Sequence, residues 1–266
     1  MHYAIMWEAA DGAGGQDGLR DVRGLVSNGV AAFKGISYAA PPFGPNRMRP
    51  PVRPEAWDGV RDVTAFAPTV PKPPYPSPFD VFLPEPVIAG DDCLNLNVWT
   101  AEPSPGPGLP VMVWIHEGAF VNGSGAVPQY AGDRFARDGV VCVTINYRLG
   151  CEGFLFLDDT GPLGAGRTGP SAGRGADAGR IRSAPVERLV RAQRQLSEDI
   201  ALNPDPIRWR EIAANMMAFE PVVDGQVLPV PAAASVCWRA PTRTSTACSW
   251  CRRVWPMPPT TPPCRR

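Results

Sequence analysis

Residues 110–120 read PVMVWIHEGAF, and the prediction of the fold begins from them. Its first part, residues 110–115, carries no charge and is rich in β-branched and aromatic side chains, which favours a strand. A second uncharged run, residues 140–146, reads VVCVTIN and predicts another strand. Because continuous apolar runs of this length are typical of parallel strands buried on both faces, we expect both at the centre of a sheet.

Upstream of this stretch, two short apolar runs at residues 22–26 and 30–36 flank an Asn-Gly pair. Such a pair favours a tight hairpin turn, so we expect two antiparallel strands there. Residues 94–100 read LNLNVWT and predict a further strand. Residues 39–90 are dense in proline, which excludes regular helix and central strand and predicts a long surface loop.

Downstream of residue 159, the composition and the apolar periodicity of the chain change. Residues 160–182 are rich in glycine and arginine and poor in large aliphatic side chains, so they predict disorder. Helical periodicity returns in residues 183–236, with Ser183 as the expected N-cap, and residues 209–219 predict another short helix. Residues 237–266 are basic, rich in proline and cysteine, and without any period, so we expect a disordered tail. One hypothesis is that this tail is an out-of-frame translation of GC-rich DNA.

The overall charge and hydropathy narrow the class of protein. Basic and acidic residues balance at 26 each, so nothing global predicts a nucleic acid or an anionic membrane as a partner. No apolar run approaches the ~20 residues that a membrane span needs. The first 20 residues have neither a basic n-region nor an apolar h-region, so we predict a cytoplasmic location.

The cysteines divide into two groups. Cys93, Cys142 and Cys151 lie in hydrophobic sequence and are expected to be small buried side chains. A C-x-x-C pattern at residues 248–251 could bind zinc or cycle between redox states. It has no second C-x-x-C and no nearby histidine, so we interpret it as chance and predict no metal site.

Several motifs, in chain order, resemble the type-B carboxylesterase family. The pattern DDCLNLNV is the most specific of them, and it is similar to the family's E-D-C-L-x-L-N-V. A weaker similarity follows, in which PVVDGQVLP resembles P-V-x-D-G-x-x-L-P. The motifs are FKGISYAAPP at residues 33–42, DDCLNLNV at 91–98, VWIHEGAF at 113–120, NYRLG at 146–150, GFL at 153–155 and PVVDGQVLP at 221–229.

The resemblance implies a partial α/β-hydrolase fold, with a mostly parallel central sheet, helices on both faces and an N-terminal antiparallel hairpin. Composition and periodicity, together with the resemblance, divide the chain into five segments. These are a flexible start at 1–20, the N-terminal part of the hydrolase domain at 21–159, a disordered Gly/Arg-rich segment at 160–182, a helical family remnant at 183–236 and a disordered tail at 237–266.

The activity implied by the resemblance is hydrolysis of small-molecule carboxylic esters through an acyl-serine intermediate, without metal or organic cofactor. The oxyanion hole would be formed by the backbone amides of Gly118 and Ala119, in a turn that follows a strand. Glu117 departs from the family, which has glycine at this position. We expect it to be strained if that position needs a positive φ, and to repel an oxyanion.

The rest of the catalytic machinery is incomplete. One G-x-S-x-G pattern, at residues 169–173, offers Ser171 as the nucleophile, but no apolar strand precedes it. The histidines are His2 and His116, so none follows the serine as the family order requires, and no acid follows Asp224. A serine without a base is a poor nucleophile, so we predict that the chain as written is inactive.

Two alternatives to an ester hydrolase are kept: a non-catalytic binding protein on the esterase scaffold, and a non-functional fragment that does not fold stably. The substrate and the oligomeric state stay open at this point. Structural roles are expected for four further residues. Arg47 and Asp91 occupy motif positions and are predicted to form an ion pair, while Trp99 and Trp114 fall on predicted strands and are expected in the core.

Overall fold

The computed structural model describes residues 21–83, 85–103, 108–155, 178–209 and 212–221. The strands are β1 (Val22–Arg23), β2 (Leu25–Ser27), β3 (Val30–Ser37), β4 (Arg61–Asp62), β5 (Asn95–Thr100), β6 (Val111–Ile115) and β7 (Val141–Ile145). The α-helices are α1 (Phe79–Phe82), α2 (Asp133–Arg137), α3 (Gly150–Phe154), α4 (Ala178–Ser183), α5 (Val186–Leu202), α6 (Pro206–Trp209) and α7 (Ile212–Asn215). Single 3₁₀ turns lie at Gly44–Asn46 and Pro128–Tyr130.

Five strands form one mixed sheet in the order β2-β3-β5-β7-β6. Strands β6 and β7 run parallel, and the other neighbours in this sheet are antiparallel. The predicted hairpin is confirmed, because β2 and β3 are joined through Asn28 and Gly29 with φ of 50° and 78°. The strands predicted at 94–100, 110–115 and 140–146 are also confirmed, each within one residue at either end.

The core lies on both faces of this sheet. Phe33 and Val98 pack on one face with Val22, Ala31 and Val63. On the other face Trp99 packs with Cys142 and with Ala136 of α2. Since neighbouring residues of a strand point to opposite faces, Val98 and Trp99 of β5 each anchor one of these clusters. Cys93, Cys142 and Cys151 are free and buried, as the sequence predicted.

A ladder of buried amides explains why leucine and asparagine alternate in β5. The side chain of Asn97 accepts from the Gly35 amide (2.9 Å) and donates to Thr144 Oγ1 (2.9 Å). Asn95 accepts from Asn146 Nδ2 at 3.0 Å. Because an unpaired buried amide is costly, these hydrogen bonds fix the register of β3, β5 and β7.

Among the described strands β6 lies at the edge of the sheet, whereas the sequence predicted a place at its centre. Its side chains are largely uncovered: Val111 is 63% exposed, Val113 53%, Trp114 41% and Ile115 65%. The prediction of a core position is confirmed for Trp99 (4% exposed) and wrong for Trp114. The reason is topological, since β7 is the partner of β6 and no other described strand pairs with it.

The helical segment begins earlier than predicted. Helix α4 starts at Ala178, inside the stretch 160–182 for which the sequence predicts disorder. Ser183 ends α4 and does not cap the next helix; α5 begins at Val186 with Pro185 at its N-cap. A tertiary contact explains why the junction of α4 and α5 is structured. The guanidinium of Arg47 donates to the backbone carbonyls of Arg182 and Ala184.

The apolar face of α5 is confirmed by its packing. Ile200 and the partly buried Leu189 and Leu196 lie in one cluster with Cys151 and Trp209. The short helix predicted at 209–219 is matched by α6 and α7, and residues 210–211 between them lie outside the described residues. Helix α5 is therefore fastened to the sheet through α3, which carries Cys151.

The predicted ion pair between Arg47 and Asp91 is wrong. Arg47 is 6% exposed and forms a forked contact with Glu152 of α3, through both Nε and Nη2. Asp91 is exposed and forms no ion pair within the described ranges. The guanidinium points inward from the proline-rich loop, whereas the Asp91 side chain stays at the surface, so the two groups do not meet.

Several predicted segments lie outside the described residues: the start at 1–20, residues 160–177 and the tail 237–266, together with 222–236 of the helical remnant. Among the residues that are described, no helix is long and apolar enough to cross a bilayer.

Candidate active site

The turn that follows β6 adopts an unusual backbone. Gly118, Ala119 and Phe120 have consecutive positive φ values of 115°, 51° and 62°. A Cβ on Gly118 would lie 2.2 Å from the carbonyl oxygen of Asn122, so only glycine fits. Consecutive left-handed residues turn successive N–H groups toward one side, which is the arrangement that binds an anion. Within the described part of the chain, the amides of Gly118 and Ala119 donate to no acceptor.

Backbone hydrogen bonds and close backbone contacts hold the turn at residues 118–120 in place. The amides of Val121 and Asn122 donate to the carbonyl of Gly118 at 3.0 and 2.9 Å. Gly123 has φ of 98°, and a Cβ there would lie 2.3 Å from the carbonyl oxygen of Glu117. The carbonyl of Phe120 accepts from the Gly150 amide (2.7 Å), which joins the turn to α3.

Glu117 does not carry the backbone strain that the sequence suggested. Positive φ falls on the residues after it, Gly118 and Ala119, and not on Glu117 itself. Its exposed carboxylate accepts a hydrogen bond from the hydroxyl of Tyr130. Burial, followed by this bond to a carboxylate, raises the pKa of Tyr130 above its usual value. An acidic side chain therefore directly precedes Gly118 and Ala119 in the chain.

His116 is held as a neutral structural group. Its ring is 3% exposed and stacks on Tyr147 with 4.4 Å between the ring centroids. Nδ1 lies 2.8 Å from the carbonyl oxygen of Glu117, and the hydroxyl of Tyr147 donates to the carbonyl of His116 at 3.0 Å. Burial lowers the pKa of His116, so the imidazole stays uncharged at neutral pH. These contacts favour a scaffold role for the ring.

Glu85 and Lys72 support the turn from the proline-rich loop. The carboxylate of Glu85 accepts from the backbone amide of Gly123 and from Asn122 Nδ2 (3.2 Å). Lys72 Nζ lies 3.7 Å from the same carboxylate, and both side chains are at most 9% exposed. Burial lowers the pKa of Lys72, and the Glu85 carboxylate opposes this shift. Sequence reasoning missed both residues, because neither belongs to a motif or to a periodic pattern.

We expect Glu85→Gln to lower the free energy of unfolding by about 1–3 kcal/mol, because it leaves the buried Lys72 without its counterion and places an amide N–H₂ against Asn122. Urea denaturation followed by circular dichroism measures this. Glu198→Gln is the matched control, since its exposed helical pair with Arg194 is worth only about 0.5 kcal/mol. Equal stability of Glu85→Gln and the unsubstituted chain would show that Glu85 does not support the turn.

The predicted site residues are only partly described. Gly118 and Ala119 lie together on the turn, whereas Ser171 and His2 fall outside the described residues. Where the structure is described, no group of three or more His, Cys, Asp and Glu side chains could hold a metal ion.

Comparison with known proteins supplies the family context. A model of the carboxylesterase family matches residues 18–164. The chain is 47% identical over 148 residues to phenmedipham hydrolase of Pseudarthrobacter oxydans. This match covers 51% of this chain and 28% of that protein. The chain is 45% identical over 137 residues to para-nitrobenzyl esterase of Bacillus subtilis, covering 51% and 27%. The matched region thus spans about a quarter of the length of these curated relatives.

Solved structures agree with the fold. A PNB esterase superposes with a TM-score of 0.64 at 27% identity, over 85% of this chain and 58% of that one. A carboxylesterase of Geobacillus stearothermophilus gives a TM-score of 0.60 at 28% identity, over 86% and 58%. The fold class predicted from the sequence, a partial α/β-hydrolase fold with an N-terminal antiparallel hairpin, is thereby confirmed. The described part of the central sheet is mixed and not mostly parallel, because β6 and β7 are its one parallel pair.

Proposed function

Since the chain belongs to the carboxylesterase family, we propose that it binds small-molecule carboxylic esters and that Gly118 and Ala119 form its oxyanion hole. The observation that supports this most is the pair of amides on the turn after β6, which have no acceptor among the described residues. The turn is braced by Glu85 on one side and by α3 on the other. A donor pair fixed before the substrate arrives needs no reorganisation when charge develops on the ester oxygen.

The proposed role of the two amides follows from where negative charge develops during ester hydrolysis. Attack on an ester carbonyl moves an electron pair onto its oxygen, and two backbone N–H groups aimed at that oxygen stabilise the resulting oxyanion. Each such donor is typically worth about 3 kcal/mol of barrier. Glu117 opposes this, because it directly precedes the two donors in the chain. The hydrogen bond that its carboxylate accepts from Tyr130 disperses part of the charge.

The 266 residues by themselves are proposed to bind esters without acyl-serine turnover. Ser171 would need a base, and no histidine follows His116 in this sequence. His116 is stacked and buried beneath the turn, so it is not free to accept a proton from Ser171. No carboxylate follows Asp224 to orient a base. In this reading residues 21–159 are the N-terminal part of a hydrolase domain, and 183–236 are a helical remnant of it.

An anion mimic of the tetrahedral intermediate tests the oxyanion hole. We expect an alkylphosphonate to shift the backbone amide signals of Gly118 and Ala119 in a ¹⁵N NMR titration. Glu117→Gln should bind it more tightly by about fivefold, because removing one nearby charge in a solvated site is worth of order 1 kcal/mol.

Glu198→Gln is the control for this titration, since it removes one exposed charge from α5 and leaves the turn unchanged. Shifts that spare Gly118 and Ala119, or equal affinities for all three proteins, would refute the assignment of the hole.

A further inference from the structure

Two successive carbonyl groups in the turn after β6 are held by hydrogen-bond partners. The carbonyl oxygen of Glu117 lies 2.8 Å from Nδ1 of the His116 ring. The carbonyl of Gly118 accepts from the backbone amides of Val121 and Asn122 at 3.0 and 2.9 Å. One carbonyl is thus held by a side chain, and the next is held by the backbone of the turn itself.

The direction of each amide in the turn follows from the carbonyl that precedes it. A trans peptide unit is planar, so its C=O and its N–H point in opposite directions. Among the described residues the cis peptide bond is the one before Pro78, so the peptides of this turn are trans. The carbonyl of Glu117 and the amide of Gly118 share one unit, and the carbonyl of Gly118 and the amide of Ala119 share the next. The His116 ring therefore fixes the direction of the Gly118 N–H, which points away from that ring.

The contact between Nδ1 and the Glu117 carbonyl determines where the imidazole carries its hydrogen. A carbonyl oxygen only accepts hydrogen bonds, so Nδ1 is the donor and bears the hydrogen. Burial lowers the pKa of His116, so the ring is neutral at neutral pH and Nε2 carries no hydrogen. The other tautomer would place the lone pair of Nδ1 against the carbonyl oxygen and would repel it.

The surrounding chain keeps both atoms of this hydrogen bond in place. A Cβ on Gly123 would lie 2.2 Å from Nδ1 of His116 and 2.3 Å from the carbonyl oxygen of Glu117, so the glycine backbone packs against both. The ring stacks on Tyr147, whose hydroxyl donates to the carbonyl of His116 at 3.0 Å. The donor on Nδ1 is therefore fixed before any ligand arrives.

We propose that His116 is a positioning residue of the oxyanion hole, which aims the Gly118 amide through the hydrogen bond from Nδ1 to the Glu117 carbonyl. This role rests on the proposed function, in which the amides of Gly118 and Ala119 donate to the ester oxygen. His116 itself neither touches the ester nor exchanges a proton with it. The two donors differ in what orients them, because the carbonyl before Ala119 is held by backbone amides and needs no side chain.

Two substitutions separate this role from packing alone. His116→Phe keeps an aromatic ring to stack on Tyr147 but has no N–H group. His116→Asn loses the stacked ring, but its amide nitrogen is bonded to Cγ as Nδ1 is, so it can donate to the same carbonyl. If His116 acted only by packing, His116→Phe would preserve the turn better than His116→Asn. Positioning predicts the opposite order.

Residual dipolar couplings of the backbone N–H groups measure the direction of each amide in the free chain. We expect the coupling of Gly118 to change in His116→Phe and to be retained in His116→Asn, while Ala119 keeps its coupling in both variants. The imidazole ¹⁵N spectrum of the unsubstituted chain should show the hydrogen on Nδ1, and this measurement needs no variant to fold. A hydrogen on Nε2, or an unchanged Gly118 coupling in folded His116→Phe, would overturn the proposal.

Titration with the alkylphosphonate connects this orientation to the hole. We expect His116→Phe to bind the phosphonate about tenfold more weakly than the unsubstituted chain, because one charge-assisted hydrogen bond is misdirected. His116→Asn should recover most of that affinity. A phosphonate that shifts neither amide of the unsubstituted chain would refute the oxyanion hole itself, and the role of His116 with it. Shifts at Gly118 and Ala119 together with undiminished affinity in His116→Phe would refute only the role of His116.

Discussion

Arg47→Ala is expected to lower the free energy of unfolding by about 3–5 kcal/mol, the largest loss of stability that we expect from one substitution in the described residues. The reason is the isolation of a buried charge. Arg47 and Glu152 are 6% and 8% exposed, and the guanidinium of Arg47 is the ion-pair partner of this carboxylate. Removing it leaves Glu152 buried and unpaired, which costs much more than a lost surface contact.

The same substitution should loosen the helical segment. The guanidinium of Arg47 also donates to the carbonyls of Arg182 and Ala184, so it ties the proline-rich loop and α3 to the junction of α4 and α5. Hydrogen exchange in α5 should therefore accelerate in Arg47→Ala more than exchange in β5, whose bonds to β3 and β7 are independent of Arg47.

Urea denaturation of two further variants, one single and one double, completes this test. Arg137→Ala, which breaks an exposed pair with Asp133, should cost less than about 1 kcal/mol. Arg47→Met combined with Glu152→Leu should be less destabilising than Arg47→Ala alone, because it removes both charges together. If Arg47→Ala lowers the free energy of unfolding by no more than Arg137→Ala does, the buried pair of Arg47 and Glu152 does not stabilise the fold.

The second large effect concerns catalysis. We expect the chain to hydrolyse a p-nitrophenyl acyl ester no faster than its Ser171→Ala variant, and several orders of magnitude more slowly than an enzyme with a complete triad. A serine hydroxyl attacks an ester efficiently only when a base removes its proton. The histidines of the chain are His2 and His116, and the second is stacked on Tyr147 below the oxyanion turn.

Glu117→Gly provides a contrast in the same assay. If the oxyanion hole alone gives a residual rate above that in water, removing the carboxylate should raise this rate, while Ser171→Ala should leave it unchanged. A clear fall in rate on Ser171→Ala would contradict the expectation and would identify that serine as a nucleophile.

Patterns of neighbouring residues predicted the local elements correctly. The Asn-Gly turn, the apolar runs and the spacing of Leu189 and Leu196 depend only on short-range geometry, so the hairpin, three strands and α5 were all foreseen. The turn at Gly118 and Ala119 was found through its motif, and its positive φ values fit that prediction.

Contacts between distant segments could not be predicted in this way. Glu85 supports Gly123 from 38 residues away, and Arg47 contacts Glu152 across 105 residues, with no spacing rule to connect them. Strand β6 has the composition of a buried central strand, yet among the described strands only β7 pairs with it. Burial of a strand is a property of the whole sheet, so its own sequence could not decide it.

Intact-mass spectrometry after treatment with a fluorophosphonate probe shows whether the chain holds an activated serine. The probe forms a stable covalent adduct with a serine that a base has activated, and it reports on the nucleophile without requiring turnover. We predict an unchanged mass for the 266-residue chain under conditions that label a complete carboxylesterase to completion. A stoichiometric adduct that disappears in Ser171→Ala would contradict this account and establish the chain as a working serine esterase.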